Sequence, residues 1–252
     1  EAQPSESPSN PPWDWKAALI LFFVMILINL LVISSIQSGF LILTGWQFDP
    51  LSGAITAPGN ILGPWLGTIS GELIILFITL FFTVYLCKSK LRALNFRWPS
   101  LKHTLIAIGG VALAFGASIV GGILQYYLTG PDPTEESYNL LFQTSNGFEL
   151  IGWVLLMMCV VAPCEEIFAR GFVQQGFQNS FKVKKKSIFI GIAIASLLFA
   201  VVHLNFYRII PLFLVGFILG LIYYYTDNNA MASAITHGLY NALIIIIPFF
   251  FP

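Results

Sequence analysis

The sequence predicts an all-α fold: a polytopic bundle of about seven transmembrane helices, with an eighth left open. Hydrophobic residues make up 57% of the 252 residues, charged residues make up only 10%, and the mean hydropathy is +0.81. These values are far too apolar for a soluble domain. The formal net charge is +0, so the charges are informative through their position relative to the bilayer rather than through their sum.

The apolar residues form seven runs, each near or above the roughly 20 residues that a membrane crossing requires. The runs cover residues 15–36, 62–87, 104–128, 148–178, 187–205, 209–226 and 230–250. The fourth run is longer than one crossing, and we expect a kink at Pro163, because proline lacks the backbone donor of a helical turn. We expect a single domain over residues 15–252, preceded by a disordered leader in the Pro- and Ser-rich residues 1–14.

Basic residues concentrate in two loops, one between runs two and three and one between runs four and five. They are Lys88, Lys90, Arg92, Arg97, Lys102, Lys182, Lys184, Lys185 and Lys186. The loop after run one carries Asp49, and the loop after run three carries Asp132, Glu135 and Glu136. Because short loops rich in Lys and Arg stay in the cytoplasm, we expect an integral multi-pass protein with a cytoplasmic N-terminus, in a prokaryotic cell membrane.

A few polar side chains interrupt the apolar runs, although an ionisable group near mid-bilayer costs roughly 2.5–3.5 kcal/mol. They are Glu72, Glu165, Glu166, Arg170, His203, His237 and Asn241. Glu166 and Arg170 are four residues apart and share a helix face, whereas Glu165 points about 100° away. Arg170 can therefore neutralise Glu166, which leaves Glu165 to face a cavity as a general base or acid. A structural ion network of these three residues is the alternative.

Depth in the membrane relates the remaining polar groups to Glu165. Counting about 1.5 Å per residue from the nearest basic loop puts Glu165, His203 and Glu72 at similar depths. Glu72 is therefore a candidate cavity residue, with a protonated structural group as the alternative. Phe199 lies four residues before His203 and is expected to pack against its imidazole.

His237 and Asn241 form a second pair with helical spacing in the last run. A neutral imidazole and a carboxamide supply directed donors without net charge, which suits the stabilisation of a developing oxyanion. The same count of residues places His237 somewhat shallower than Glu165. An interhelical hydrogen-bond pair is the simpler alternative for these two residues.

Three short motifs follow one another in separate hydrophobic segments. "EEIFAR" fits EExxxR, "FAVVH" fits FxxxH and "HGLYN" fits HxxxN. This ordered set, within residues 165–241, resembles the CPBP family of CAAX prenyl proteases and bacteriocin-processing enzymes, also called the Abi family. The resemblance implies intramembrane peptide hydrolysis, whereas the first 150 residues match only as generic membrane helices.

The resemblance also implies a role for each motif residue. Glu165 with His203 would activate a water that attacks the scissile carbonyl, and His237 with Asn241 would stabilise the oxyanion. Glu166 with Arg170 would hold the site together. The candidate catalytic residues are therefore Glu165, Glu166, His203, His237 and Asn241, with Arg170 and Phe199 as structural support and Glu72 as a cavity residue.

We expect no cofactor, with a divalent metal such as zinc as the alternative, because two Glu and two His could ligate it. The sequence has no HExxH motif, and the charge of Arg170 beside Glu166 disfavours a cation. Cys164 is a poorer nucleophile than a Glu-activated water, because its apolar setting offers no activating cation.

The expected substrate is a membrane peptide or a lipidated protein, cut in a water-filled cavity that opens toward the cytoplasmic leaflet of the lipid bilayer. No nucleic acid partner is indicated, and the oligomeric state is not specified by the sequence. Two other functions stay open: a non-catalytic membrane scaffold or regulator, and a small-solute or proton transporter, for which intramembrane Glu and His are typical relays.

Overall fold

The structure is a computed structural model that describes residues 13–180 and 185–251, without the side chains of residues 185–187. Its helices are α1 (Trp15–Leu43), α2 (Leu62–Leu86), α3 (Leu101–Thr129), α4 (Glu135–Phe142), α5 (Gly147–Ser180), α6 (Lys185–Val202), α7 (Ile209–Tyr225) and α8 (Ala230–Phe250). Six of the helices in the described residues are long and apolar enough to cross a membrane, and the apolar part of α6, Ile188–Val202, is shorter. The predicted all-α polytopic bundle is confirmed, and each of the seven runs is helical.

The loops gather at two ends of the bundle. At one end Arg97 Nη2 donates to the carbonyl oxygen of Asp227 at 2.8 Å, and at the other Asn205 Nδ2 donates to Thr134 Oγ1 at 3.3 Å. We call the first the basic end, because it includes four basic residues in the loop before α3 and Lys102 in the first turn of α3. The basic end comprises residues 13–16, 88–102, 180–186 by sequence position, and 226–229. The acidic end comprises residues 44–61, 130–146 and 203–208.

The half of the bundle next to the basic end is tightly packed. Trp13 stacks on Phe172 with ring centroids 4.6 Å apart, and its Nε1 donates to the Phe172 carbonyl oxygen at 2.9 Å. Asp14 caps α1 by accepting the backbone N–H of Lys16 at 3.0 Å. Trp13 and Asp14, which we expected in a disordered leader, therefore belong to the packed fold, and residues 1–12 lie outside the described residues.

The helix α5 changes its hydrogen-bonding register on both sides of Pro163, the position of the expected kink. A short α-helical stretch, Ala162–Glu166, lies between two π-helical stretches, Met157–Val161 and Ile167–Gln174. Irregular turns of this kind are frequent at functional sites. Both adjacent glutamates thus lie in a short α-helical stretch that has a π-helical stretch on each side.

The acidic end contains elements where we predicted only loops. Strands β1 (Gln47–Phe48) and β2 (Ile55–Ala57) form an antiparallel hairpin, and α4 packs against it. The backbone N–H of Ile55 donates to Ser137 Oγ at 3.2 Å. The guanidinium of Arg208 lies 3.9 Å from the ring centroid of Tyr138. These contacts hold α4 over the end of the bundle.

Asp132 anchors the turn before α4. Its Oδ2 accepts Arg208 Nε at 2.8 Å, and its Oδ1 accepts the backbone N–H of Thr134 at 2.8 Å. Burial raises the pKa of Asp132, but the hydrogen bonds from Thr134 and Arg208 outweigh it, and the net pKa lies below its ordinary value. The ion pair therefore persists at neutral pH and fixes α4 to the start of α7.

Candidate active site

A cavity of about 230 Å³ brings together Glu72, Glu165 and His203. It lies among α1, α2, α5 and α6, with Tyr138 of α4 at its rim. This volume is far larger than a single water molecule needs. The rest of the lining consists of Met25, Asn29, Ile33, Gln37, Gly71, Ile75, Phe168, Phe199 and Val202. Three ionisable groups, from α2, α5 and the residue that follows α6, thus line one space inside the bundle.

Glu165 and Glu72 both present unpartnered oxygens. The Oε2 atoms of both carboxylates are buried and have no hydrogen-bond partner within the described part of the chain. Leaving a buried polar atom unpaired is costly, and such atoms in a roomy polar cavity are typical sites for bound water or substrate. Glu72, which we predicted as a cavity residue, does line the cavity, whereas we find no hydrogen bond to it from a described histidine.

Glu166 has the opposite surroundings, although it is the next residue. Its side chain is fully buried; Oε2 accepts Arg170 Nε at 3.0 Å and Ser233 Oγ at 2.6 Å, and Oε1 accepts His237 Nδ1 at 3.0 Å. Both carboxylate oxygens are therefore engaged. The Glu166–Arg170 pair expected from helical spacing is present, and the network ties α5 to α8.

His237 contacts both glutamates. Because Nδ1 donates to Glu166, a neutral ring would carry its lone pair on Nε2, which lies 3.8 Å from Glu165 Oε2. A neutral ring protonated at Nδ1 has no proton on Nε2 to donate to an oxyanion. Only an imidazolium can donate from Nε2, and the two flanking carboxylates supply its counter-charge.

His203 stands just past the last residue of α6. Its Nδ1 donates to the carbonyl oxygen of Phe199 at 2.7 Å, which leaves the lone pair of a neutral ring on Nε2. The ring also meets Phe199 edge to face at 4.8 Å. Phe199 further contacts His237 at 5.8 Å and lies 5.1 Å from the guanidinium of Arg170. One aromatic ring thus touches both histidines and the buried cation.

Asn241 follows His237 by one helical turn on α8 and is half-buried. Among the described residues it neither lines the cavity nor makes a hydrogen bond through its side chain. Gly238, between these two positions, allows the close approach of α8 to α5, because a Cβ there would lie 3.0 Å from Met158 Cα. The HxxxN motif therefore approaches the EExxxR segment through its histidine.

Several polar residues near the site were not predicted. Ser233 is four residues before His237 on the same face of α8, and that spacing was a usable signal. Asn29 and Gln37 were also visible as polar residues within the first apolar run, and Asn29 Nδ2 donates to the Val202 carbonyl oxygen at 3.1 Å. Tyr138 carried no signal, because it lies in a segment that reads as a polar loop.

A divalent metal such as zinc was the alternative to a site without a cofactor. In the described residues no group of three or more His, Cys, Asp or Glu side chains is placed to hold a metal ion. A catalytic zinc site takes three protein ligands and an open position. Glu166 and Nδ1 of His237 are engaged with each other, so a zinc site here would need other ligand atoms.

Residues 147–243 match the family described as type II CAAX prenyl endopeptidase Rce1-like. The motif-bearing segment is similar to the Rce1-like family. The match runs from the start of α5 into α8 and includes all three motifs, which confirms the resemblance to CAAX proteases. No curated protein and no solved structure matches the chain. Glu72, Asn29, Gln37 and Tyr138 come from elements outside the Rce1-like segment, so the cavity is built jointly by both parts of the chain.

Proposed function

We propose that this protein is an intramembrane endopeptidase that cuts a membrane-associated peptide with a water molecule activated by Glu165 and His203. One observation carries this proposal: Glu165, which has a buried carboxylate oxygen without a described partner, and His203 line the same cavity. The Rce1-like match supports the reaction class, since that family is described as CAAX prenyl endopeptidases. A carboxylate and an imidazole around a water are suited to general-base catalysis.

In the proposed reaction, the water oxygen forms a bond to the scissile carbonyl carbon while Glu165 accepts one water proton. His203 Nε2 accepts a hydrogen bond from the same water and orients it. The tetrahedral intermediate then loses its C–N bond, and the proton held by Glu165 passes to the departing nitrogen. The products are a carboxylic acid and an amine, with water as the only co-reactant.

His237 and Asn241 are the proposed donors to the oxyanion. Both lie on α8 one turn apart, so one helix can present them to one side of the carbonyl. In this role His237 acts as an imidazolium through Nε2, because Nδ1 is committed to Glu166. Glu166, Arg170 and Ser233 act as positioning residues that hold this ring between α5 and α8.

The test is cleavage of a quenched fluorogenic peptide with a farnesylated CAAX terminus by purified protein in detergent. Glu165→Ala and His203→Ala should each lower kcat/KM by about 10²–10⁴-fold, the range of general-base catalysis. Glu136→Gln, at an exposed position of α4, is the matched control and should cleave at the wild-type rate. Wild-type activity in Glu165→Ala would overturn Glu165 as the base. Absence of cleavage by the wild-type protein would instead leave a scaffold or a transporter as the better explanation.

Metal dependence is tested with the same peptide. We propose a metal-free reaction, so dialysis against a strong chelator should leave the rate unchanged, and added zinc should not increase it. Loss of activity on chelation with recovery on adding zinc would contradict this part of the proposal.

A further inference from the structure

Charge separates the two ends of the bundle. Ten of the 12 basic residues belong by sequence position to the basic end: Lys16, Lys88, Lys90, Arg92, Arg97, Lys102, Lys182, Lys184, Lys185 and Lys186. The other two are Arg170, which is buried beside Glu166, and Arg208, which pairs with Asp132 at the acidic end. Segments rich in Lys and Arg remain in the cytoplasm, so the basic end is the cytoplasmic one.

The cavity lies in the half of the bundle that is next to the acidic end. His203 directly follows the last residue of α6, which begins at the basic end. Gln37 is six residues before the end of α1, about 9 Å from the acidic end at 1.5 Å per residue. Tyr138 belongs to α4, which covers that end. The lining thus reaches the acidic surface.

Packed side chains close the cavity on the side that faces the basic end. Met25, Phe168 and Phe199 line the cavity and also belong to the main hydrophobic core, which continues toward the basic end. Closer to the basic end, the same core contains the stacked rings of Trp13 and Phe172, whose centroids are 4.6 Å apart. A Cβ on Gly171 would lie only 2.8 Å from the Leu94 carbonyl oxygen, so the loop before α3 is pressed directly against α5. A peptide cannot pass through such packing.

We propose that the cavity takes its substrate from the non-cytoplasmic side of the membrane. The substrate is then a membrane-anchored peptide whose scissile bond is exposed on the outer face, rather than a lipidated protein on the cytoplasmic leaflet. That the occupant of the cavity is a substrate rests on the proposed function, whereas the direction of access does not. A cytoplasmic N-terminus and a cavity opening to the cytoplasmic leaflet, both expected from the sequence, cannot hold together in this structure.

Cysteine labelling in intact cells tests the direction of access without any cleavage assay. In a background with Cys87→Ala, Cys159→Ala and Cys164→Ala, single cysteines are introduced as Gln37→Cys in the cavity, Glu136→Cys at the acidic end and Lys90→Cys at the basic end. A membrane-impermeant maleimide should label Gln37→Cys and Glu136→Cys in intact cells. It should label Lys90→Cys only after permeabilisation.

Two labelling results would overturn the proposal. One is labelling of Lys90→Cys but not Glu136→Cys in intact cells, which inverts the orientation. The other is failure of Gln37→Cys to react from outside while Glu136→Cys does react, which shows that the cavity is not reached from that face.

A cleavage experiment separates this proposal from the proposed function. The farnesylated fluorogenic peptide, with charged residues that hold it in the leaflet to which it is added, is offered to right-side-out and inside-out vesicles, with Glu165→Gln vesicles as the blank. Cleavage confined to right-side-out vesicles supports outer access, and cleavage confined to inside-out vesicles overturns it while the endopeptidase stands. Absence of cleavage there and in detergent defeats the proposed function, and the labelling result alone then decides the direction of access.

Discussion

Two polar regions lie side by side in this bundle and differ in how their carboxylates are satisfied. In the cavity wall, Glu165 and Glu72 each leave a buried oxygen without a described partner. In the ion network around Glu166, both carboxylate oxygens are occupied, by a guanidinium, a hydroxyl and an imidazole. A glutamate in the cavity wall is therefore suited to chemistry, whereas a glutamate in the ion network is suited to holding its neighbours in position. Surroundings rather than residue identity separate the two roles.

The largest change in stability is expected from Glu166→Ala. This substitution leaves Arg170 buried without its counter-charge, and breaking a buried pair costs about 3–5 kcal/mol. The free energy of unfolding, measured by denaturant titration in detergent, should fall by that amount. Full retention of stability would show that the network contributes little and that the two regions do not differ as described.

A smaller loss is expected from Ser233→Ala. Its hydroxyl donates to Glu166 Oε2 at 2.6 Å, and a hydrogen bond to a charged group contributes about 1.5–3 kcal/mol. Thermal unfolding should shift downward, while peptide cleavage continues because the cavity wall is untouched. A variant that unfolds normally but no longer cleaves would instead move Ser233 into the catalytic group.

The smallest effect on stability is expected from Glu72→Gln. The buried oxygen it replaces has no described partner, so a neutral side chain of the same shape should leave the free energy of unfolding within about 1 kcal/mol of wild type or raise it. The same denaturant titration checks this. A loss as large as that of Glu166→Ala would mean that Glu72 belongs to a structural network.

The helices and part of the site follow from local sequence patterns. Apolar runs specify membrane helices because the bilayer demands about 20 apolar residues per crossing, and helical spacing predicts that Glu166 meets Arg170. The acidic end was missed because α4 and the β1–β2 hairpin are held by contacts between distant segments, such as Ile55 with Ser137. Their residues alone resemble ordinary polar loops.

Relations between helices are the part that one sequence does not contain. That Nδ1 of His237 is committed to Glu166 depends on how α8 approaches α5, and this contact changes which nitrogen can act. Counting residues along separate helices gave similar depths for Glu165 and His203, but depth alone does not say which side chains meet. The direction in which the cavity opens likewise depends on contacts between separate helices, namely the packed core in the half of the bundle next to the basic end.

The central claim is that adjacent glutamates have different tasks, and it is tested by measuring kcat/KM and the free energy of unfolding for Glu165→Gln and Glu166→Gln in parallel. Glu165→Gln should lose about 10²–10⁴-fold in kcat/KM with a smaller loss of stability than Glu166→Gln, because it removes the base while the hydrogen bonds of Glu166 remain. Glu166→Gln should lose stability, because Arg170 keeps its charge without a carboxylate partner. Wild-type cleavage by Glu165→Gln would contradict the account.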